Sequence, residues 1–218
     1  MSFHTSFYGN VNSDILLLQM VDEHELETFD QEISFIKELS PEKEFCLLAV
    51  KVNDWNRDLS PWASPAVFGK EDFAGKAEET LQVLLEEILP AITEKDSPER
   101  KIIIGGYSLA GLFSLWSAYQ TDYFDGIAAA SPSIWYPHFT EYMVSNAIHS
   151  KRVYLSLGDR EERTRNPVMS RVGDAIREGE QILKNAGVDC VLEWNKGNHF
   201  KNADLRTARA FAWVMERI

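Results

Sequence analysis

Ser108 lies in the run Gly105-Gly106-Tyr107-Ser108-Leu109-Ala110-Gly111, directly after the β-branched stretch Lys101 to Gly105 (KIIIG) and before an apolar helical stretch. Gly106-x-Ser108-x-Ala110 is an elbow pattern with Ala in place of the last Gly. Small residues two before and two after the serine suit a sharp strand-to-helix turn, because the two backbones nearly touch there. Such a turn lifts the serine hydroxyl off the sheet. It also puts the Leu109 N–H at a helix N-terminus, where unpaired amides and the helix dipole stabilise negative charge on oxygen. The chemistry on offer is nucleophilic attack.

A serine hydroxyl needs a base to take its proton. In folds with this elbow the order along the chain is Ser, then Asp or Glu, then His. His138, His149 and His199 follow Ser108. His149 precedes a strand and so falls on the wrong edge of a sheet, and His138 precedes every plausible acid. His199, in Lys196-Gly197-Asn198-His199-Phe200, follows the final strand and precedes the last helix, on the same edge as the elbow. The acid is sought in Gly158-Asp159-Arg160-Glu161-Glu162, after the strand Val153 to Leu157. In such folds it usually sits three residues beyond the glycine that ends the strand, which selects Glu161, with Asp159 second and Glu162 third. Its work is to hold one His199 tautomer and to stabilise the imidazolium formed during attack.

The elements that must position these loops can be read from periodicity. Ile15 to Met20, Phe45 to Val52, Lys101 to Gly105, Gly126 to Ala130, Val153 to Leu157 and Val188 to Trp194 read as strands. Between them, Leu26, Phe29, Ile33 and Ile36 recur at helical spacing. So do Ala77, Leu81, Leu84, Leu85 and Ile88, with Pro90 helping to end that helix. Leu109 to Tyr119 is apolar nearly all round; Val172, Ile176 and Leu183 mark a helix that Gly187 can cap, and Ala208 to Ile218 closes the chain. Alternating strands and helices of these lengths imply an α/β fold of about six mostly parallel strands covered by helices on both faces. Ligands then bind beyond the carboxyl ends of the strands.

The chain has 218 residues, so 1–218 is expected to form one domain, with roughly 70% of the unfolded chain's surface buried. Its net charge of −12 disfavours nucleic acid and anionic membrane as partners. Neither a signal-like N-terminus nor an apolar run of about 20 residues is present, so a cytoplasmic location is the expectation. Cys46 and Cys190 read as free thiols on strands. The histidines are scattered, and no HExxH, CxxC, P-loop or GxGxxG pattern is present, so neither a metal nor a cofactor is expected.

Several segments together resemble the esterase D / enterochelin esterase branch of the α/β-hydrolases: the elbow GGYSLAG, SPSIW at Ser131 to Trp135, the acid loop SLGDREE and GNHF around His199. Asn56-Arg57-Asp58-Leu59-Ser60-Pro61 and Glu87-Ile88-Leu89-Pro90 add two more matches. The resemblance implies hydrolysis of a small-molecule carboxylic ester through an acyl-enzyme. Ser108 would attack, His199 would serve as base and then acid, and Glu161 would orient it. Leu109 would give one oxyanion donor, and Val21 or Asp22, in the loop Met20-Val21-Asp22-Glu23, would give the second. That loop lacks the glycine that relatives often have. The N-terminal strands are reduced to Phe3 to Val11 and no segment has the length of a large lid. An exposed, shallow site follows, or one completed by a second subunit in a homo-oligomer.

Trp55, Trp62, Trp135 and Tyr136 fall in post-strand loops, where they either wall a substrate pocket or pack the loops themselves. Arg57 either binds an acidic substrate or pairs with Asp54 or Asp58. A thioesterase or peptidase would use the same three residues. A non-catalytic protein with this fold would keep the architecture and bind a ligand instead.

Overall fold

The computed structural model describes residues 3–92 and 100–218. The strands among them are β1 (His4–Gly9), β2 (Ile15–Val21), β3 (Cys46–Lys51), β4 (Ala63–Ser64), β5 (Phe73–Ala74), β6 (Lys101–Tyr107), β7 (Gly126–Ala130), β8 (Arg152–Gly158) and β9 (Asp189–Asn195). The helices are α1 (Glu23–Glu27), α2 (Phe29–Leu39), α3 (Trp55–Asp58), α4 (Ala77–Val83), α5 (Leu89–Ile92), α6 (Ser108–Ser117), α7 (Phe139–Ser145), α8 (Val172–Asn185) and α9 (Ala203–Met215). The ribbon β4–β5 stands apart. The other strands form one seven-stranded sheet in the order β1-β3-β2-β6-β7-β8-β9.

Six of these strands run parallel, and they are the six apolar runs expected from the sequence. The seventh is β1, which pairs antiparallel with β3 (Thr5 opposite Val50, Phe7 opposite Leu48). The segment expected as a remnant is therefore a full edge strand, which raises the count above the six anticipated.

Successive strand residues point to opposite faces, so each strand feeds two cores. Leu17, Val21, Ile103, Ala128 and Tyr154 pack with Phe29, Ile33 and Ile36 of α2 and with Ala208, Phe211 and Met215 of α9. Leu16, Leu18, Ile102, Ile104 and Leu155 face the other way, against residues of α4, α6, α7 and α8. Cys46 is buried, Cys190 is half-buried, and both are free thiols.

Two helices depart from expectation. Pro90 does not end its helix: α4 widens into a π turn at Leu84–Ile88 and continues as α5 with Pro90 inside it. A proline in an ordinary helix interior lacks a donor and crowds the carbonyl four residues back; a π turn loosens that spacing. Helix α9 begins at Ala203 rather than Ala208, because its first turn mixes Ala203 and Leu205 with Asp204 and Arg206 and shows no clear apolar period.

The turn between β6 and α6 shows why its small residues are needed. Ser108 has φ 56°, a left-handed backbone; for a non-glycine residue this costs about 1–3 kcal/mol. A Cβ added at Gly106 would lie 2.6 Å from the Cβ of Ala110. One added at Gly105 would lie 2.6 Å from the Phe211 ring. Gly106→Val should therefore lose soluble yield and cooperative thermal unfolding. A variant that melted like the wild type would show that the turn has room to spare.

Candidate active site

The turn presents Ser108 at the carboxyl edge of the sheet, next to the loops that follow β7, β8 and β9. His199 Nε2 lies 3.0 Å from Ser108 Oγ. Its Nδ1 lies 2.7 Å from Glu161 Oε2. These residues come from three loops distant in sequence, and the fold brings them into one hydrogen-bonded line. The side chain of His199 is 25% exposed and that of Glu161 only 5%. The line thus opens to solvent at the serine end and is sealed at the acid end.

The sealed end is dense in donors. Glu161 Oε1 accepts from the Gly158 amide (2.7 Å), Ser131 Oγ (2.9 Å) and Arg206 Nη1 (2.9 Å). Burial alone would push the Glu161 carboxyl up. Hydrogen bonds and charge from His199, with the bonds from Gly158 and Ser131, outweigh it and hold the carboxyl below its ordinary range.

Arg206 is 1% exposed and ties the loops together. Its Nη1 also donates to Tyr107 Oη at 3.0 Å and to Ser131 Oγ at 3.2 Å, while Nη2 donates to the Asn198 carbonyl at 3.0 Å. Tyr107 Oη in turn donates to the His199 carbonyl at 2.7 Å. Burial first, then the Glu161 charge, pushes that phenol up to about 12, so it remains a neutral donor. Neither Arg206 nor Tyr107 was singled out from sequence. The one usable signal was the polar start of α9 immediately after the His199 loop.

Asp159 does not reach His199. Its Oδ1 accepts from the Gly197 amide at 2.8 Å, and its own amide donates to the Asn195 carbonyl at 2.8 Å. It braces the loop that carries His199. Glu162 points the other way and faces Arg177 at 3.8 Å. Ser133, two residues into the SPSIW segment, brings its Oγ within 3.3 Å of Ser108 Oγ, and its amide donates to the Ser108 carbonyl at 3.0 Å.

Leu109 is the second residue of α6, among the helix amides that have no carbonyl four residues back to accept from them. The expectation for Asp22 is corrected. Its side chain accepts from the Glu25 amide at 2.8 Å, and its own amide donates to Glu25 Oε2 at 3.2 Å. This capping box at the start of α1 occupies the Asp22 N–H. Val21, the last residue of β2, is the other residue expected there; its carbonyl accepts from the Val52 amide at 3.0 Å.

The substrate-side residues turn mostly inward. The Trp135 ring, 9% exposed, stands 6.0 Å from Phe68 and 6.4 Å from Phe73. Trp62 donates to the Pro137 carbonyl at 3.0 Å, and its ring lies 5.7 Å from that of Tyr136. Of the two readings of these aromatics, loop packing describes Trp135 and Trp62. Trp55 is half-buried against the core at the start of α3. Arg57 Nη1 lies 3.9 Å from the buried Asp58, and the Arg57 side chain is 43% exposed. Phe200, by contrast, is 89% exposed, with its ring edge-on to His199 at 5.6 Å.

Solved structures of several hydrolases superpose on this mostly parallel sheet and its helices. An IroE-like serine hydrolase from Shewanella oneidensis aligns at TM-score 0.75 and 15% identity, covering 97% of this chain and 79% of its own. The siderophore hydrolase EstA from Aspergillus nidulans aligns at 0.67 and 19%, covering 94% and 84%. The enterobactin esterase FES from Shigella flexneri aligns at 0.72 and 14%, covering 98% of this chain and 55% of its own. No protein-family model matches the sequence. No curated protein matches it either. The chain has the fold of these hydrolases. Among the described residues, no helix is long and apolar enough to cross a membrane.

Proposed function

We propose that this protein is a serine hydrolase that cleaves a carboxylic ester through an acyl-enzyme. The observation that carries the reading is the line Ser108 Oγ, His199 Nε2, His199 Nδ1, Glu161 Oε2, with spacings of 3.0 and 2.7 Å. Ser108 Oγ adds to the ester carbonyl as its proton passes to His199 Nε2. Glu161 holds the Nδ1 proton and balances the imidazolium. The carbonyl oxygen, now negative, is met by the Leu109 amide at the start of α6. Collapse expels the alcohol, which takes the proton from His199. Water then repeats the sequence on the acyl-serine and frees the acid.

That one of the similar structures is an enterobactin esterase supports an ester rather than an amide as substrate. No metal or cofactor takes part in these steps, and no lid is required. A fluorophosphonate probe tests the reading directly: it should label the wild type at Ser108. An inert wild type would favour a binding protein that has kept the fold.

The acid side of the pH–rate profile should record one proton. Glu161 is held below its ordinary 4.5 and is already ionised at neutral pH. Activity therefore requires only that His199 be free to take the serine's proton, and kcat/KM should rise from acid toward neutral pH. Measured from pH 5 to 9, a flat profile would be incompatible with a histidine base.

A further inference from the structure

Two loops supply Glu161 and His199, and both are basic in a chain whose net charge is −12. Residues 158–171 hold Arg160, Arg163, Arg165 and Arg171, and residues 196–201 hold Lys196 and Lys201. All six are exposed. Among the described residues, none of the six makes an ion pair or a side-chain hydrogen bond; the same holds for Lys37, Lys43, Lys70, Lys151 and Arg152, which lie outside these two loops, whereas Lys51, Lys76, Lys101, Lys184, Arg209 and Arg217 each face a carboxylate.

The carboxylates of these loops are already engaged. Glu161 is bound by His199 and Arg206, Asp159 by the Gly197 amide, and Glu162 by Arg177. The arginine loop is also anchored: Asn166 Nδ2 donates to the Val67 carbonyl, joining residues 163–168 to the loop between β4 and β5.

The order of the sheet gives this charge a direction. β2 and β3 lie on one side of β6, and their loops carry both signs of charge, Asp22, Glu23, Asp54 and Asp58 with Arg57, Lys70 and Lys76. β7, β8 and β9 lie on the other side, and the loops after β8 and β9 carry these six unpaired cations. A molecule placed over Ser108 therefore has free guanidinium and ammonium groups on its β8–β9 flank, while on the other flank Asp22 caps α1, Glu23 is paired with Lys51 and Asp58 is buried.

We propose that the substrate is an ester that also bears a carboxylate, in its acyl or its alcohol half, with that carboxylate lying on the β8–β9 side of Ser108. The inference rests on the esterase reading above. Guanidinium groups match the planar carboxylate with paired N–H donors. A local positive field in an otherwise acidic molecule raises the capture rate of an anion and rejects a neutral analogue, and it weakens as salt rises.

Two matched pairs test it, one for each half of the ester: p-nitrophenyl hemisuccinate against its methyl ester, and 4-acetoxybenzoate against methyl 4-acetoxybenzoate. Each rate is divided by that ester's own alkaline hydrolysis rate. At low ionic strength, wild-type kcat/KM should favour the anion by about tenfold or more in at least one pair. In 0.5 M salt (about a 4 Å screening length) the preference should shrink severalfold. In the Arg163→Gln/Arg165→Gln double variant, the anionic-to-neutral ratio should fall toward one.

Equal rates in both pairs would overturn the proposal, as would a preference that survives both salt and the double substitution. Neutral esters cleaved by the wild type but not by Ser108→Ala would keep the esterase reading in place while the charge inference fails. Turnover of no ester by the wild type would bring down both.

Discussion

Ser108→Ala is expected to lose fluorophosphonate labelling altogether and to cut ester turnover by at least about 10³-fold while the protein stays folded. The hydroxyl has two partners, His199 Nε2 and Ser133 Oγ, and both retain other surroundings when it is removed. His199 keeps its bond to Glu161, and Ser133 keeps its amide bond to the Ser108 carbonyl, which alanine also supplies. The left-handed φ of 56° is as awkward for alanine as for serine, so no new backbone strain is introduced. The melting temperature should therefore move little. Whatever rate remains measures the amides and the binding surface acting without a nucleophile. His199→Ala should fall into the same range, because a serine without its base is nearly as inert as no serine. If Ser108→Ala still labelled and turned over ester, the reactive serine would have to be another, and Ser133 is the residue to examine.

Much of this was legible in the chain because strand, turn and helix each leave a local signature. KIIIG followed by GGYSLAG fixes a strand, a tight turn and a buried helix within a few residues, so the place of Ser108 follows from neighbours in sequence. His199 was found by topology: a polar loop after the last strand of a parallel sheet must lie on the elbow's edge. Glu161 was harder. Three carboxylates share one loop, and local pattern does not distinguish the acid that turns inward from the one that braces a backbone amide.

The role of Arg206 was not legible from sequence, because its partners come from the end of β6 and the loops after β7, β8 and β9 and meet only once the sheet exists. The same is true of Asp22. Its type and its Glu25 partner spell a capping box, yet as a loop residue after a strand it reads equally well as an amide donor. The aromatic residues after β3 and β7 were ambiguous for a related reason. Packing against another loop and lining a cavity use the same residue types, and Trp135 chose Phe68 and Phe73.

The second large effect is expected at the acid. Glu161→Gln should lower kcat by about 10⁴-fold, and Asp159→Asn by only a few-fold. The size follows from how the site holds an amide at position 161. Three donors converge where Oε1 lies: the Gly158 amide, Ser131 Oγ and Arg206 Nη1. Only an oxygen can face them, so the glutamine oxygen must take that place and its NH₂ must face His199 Nδ1. A donor there makes Nδ1 the acceptor and puts the ring proton on Nε2, the nitrogen that has to receive the serine's proton. The imidazole is then present, correctly placed and in the wrong tautomer. Because the glutamine keeps the Arg206 contact, the loss should appear in kcat with the fold intact, as circular dichroism and thermal melting would show. Asp159→Asn behaves differently, since an asparagine oxygen can still accept from the Gly197 amide and leave the His199 loop in place. Should Asp159→Asn prove the more damaging change, the imidazole would be answering to the wrong carboxylate, and the line from Ser108 to Glu161 would be a resting arrangement rather than the working one.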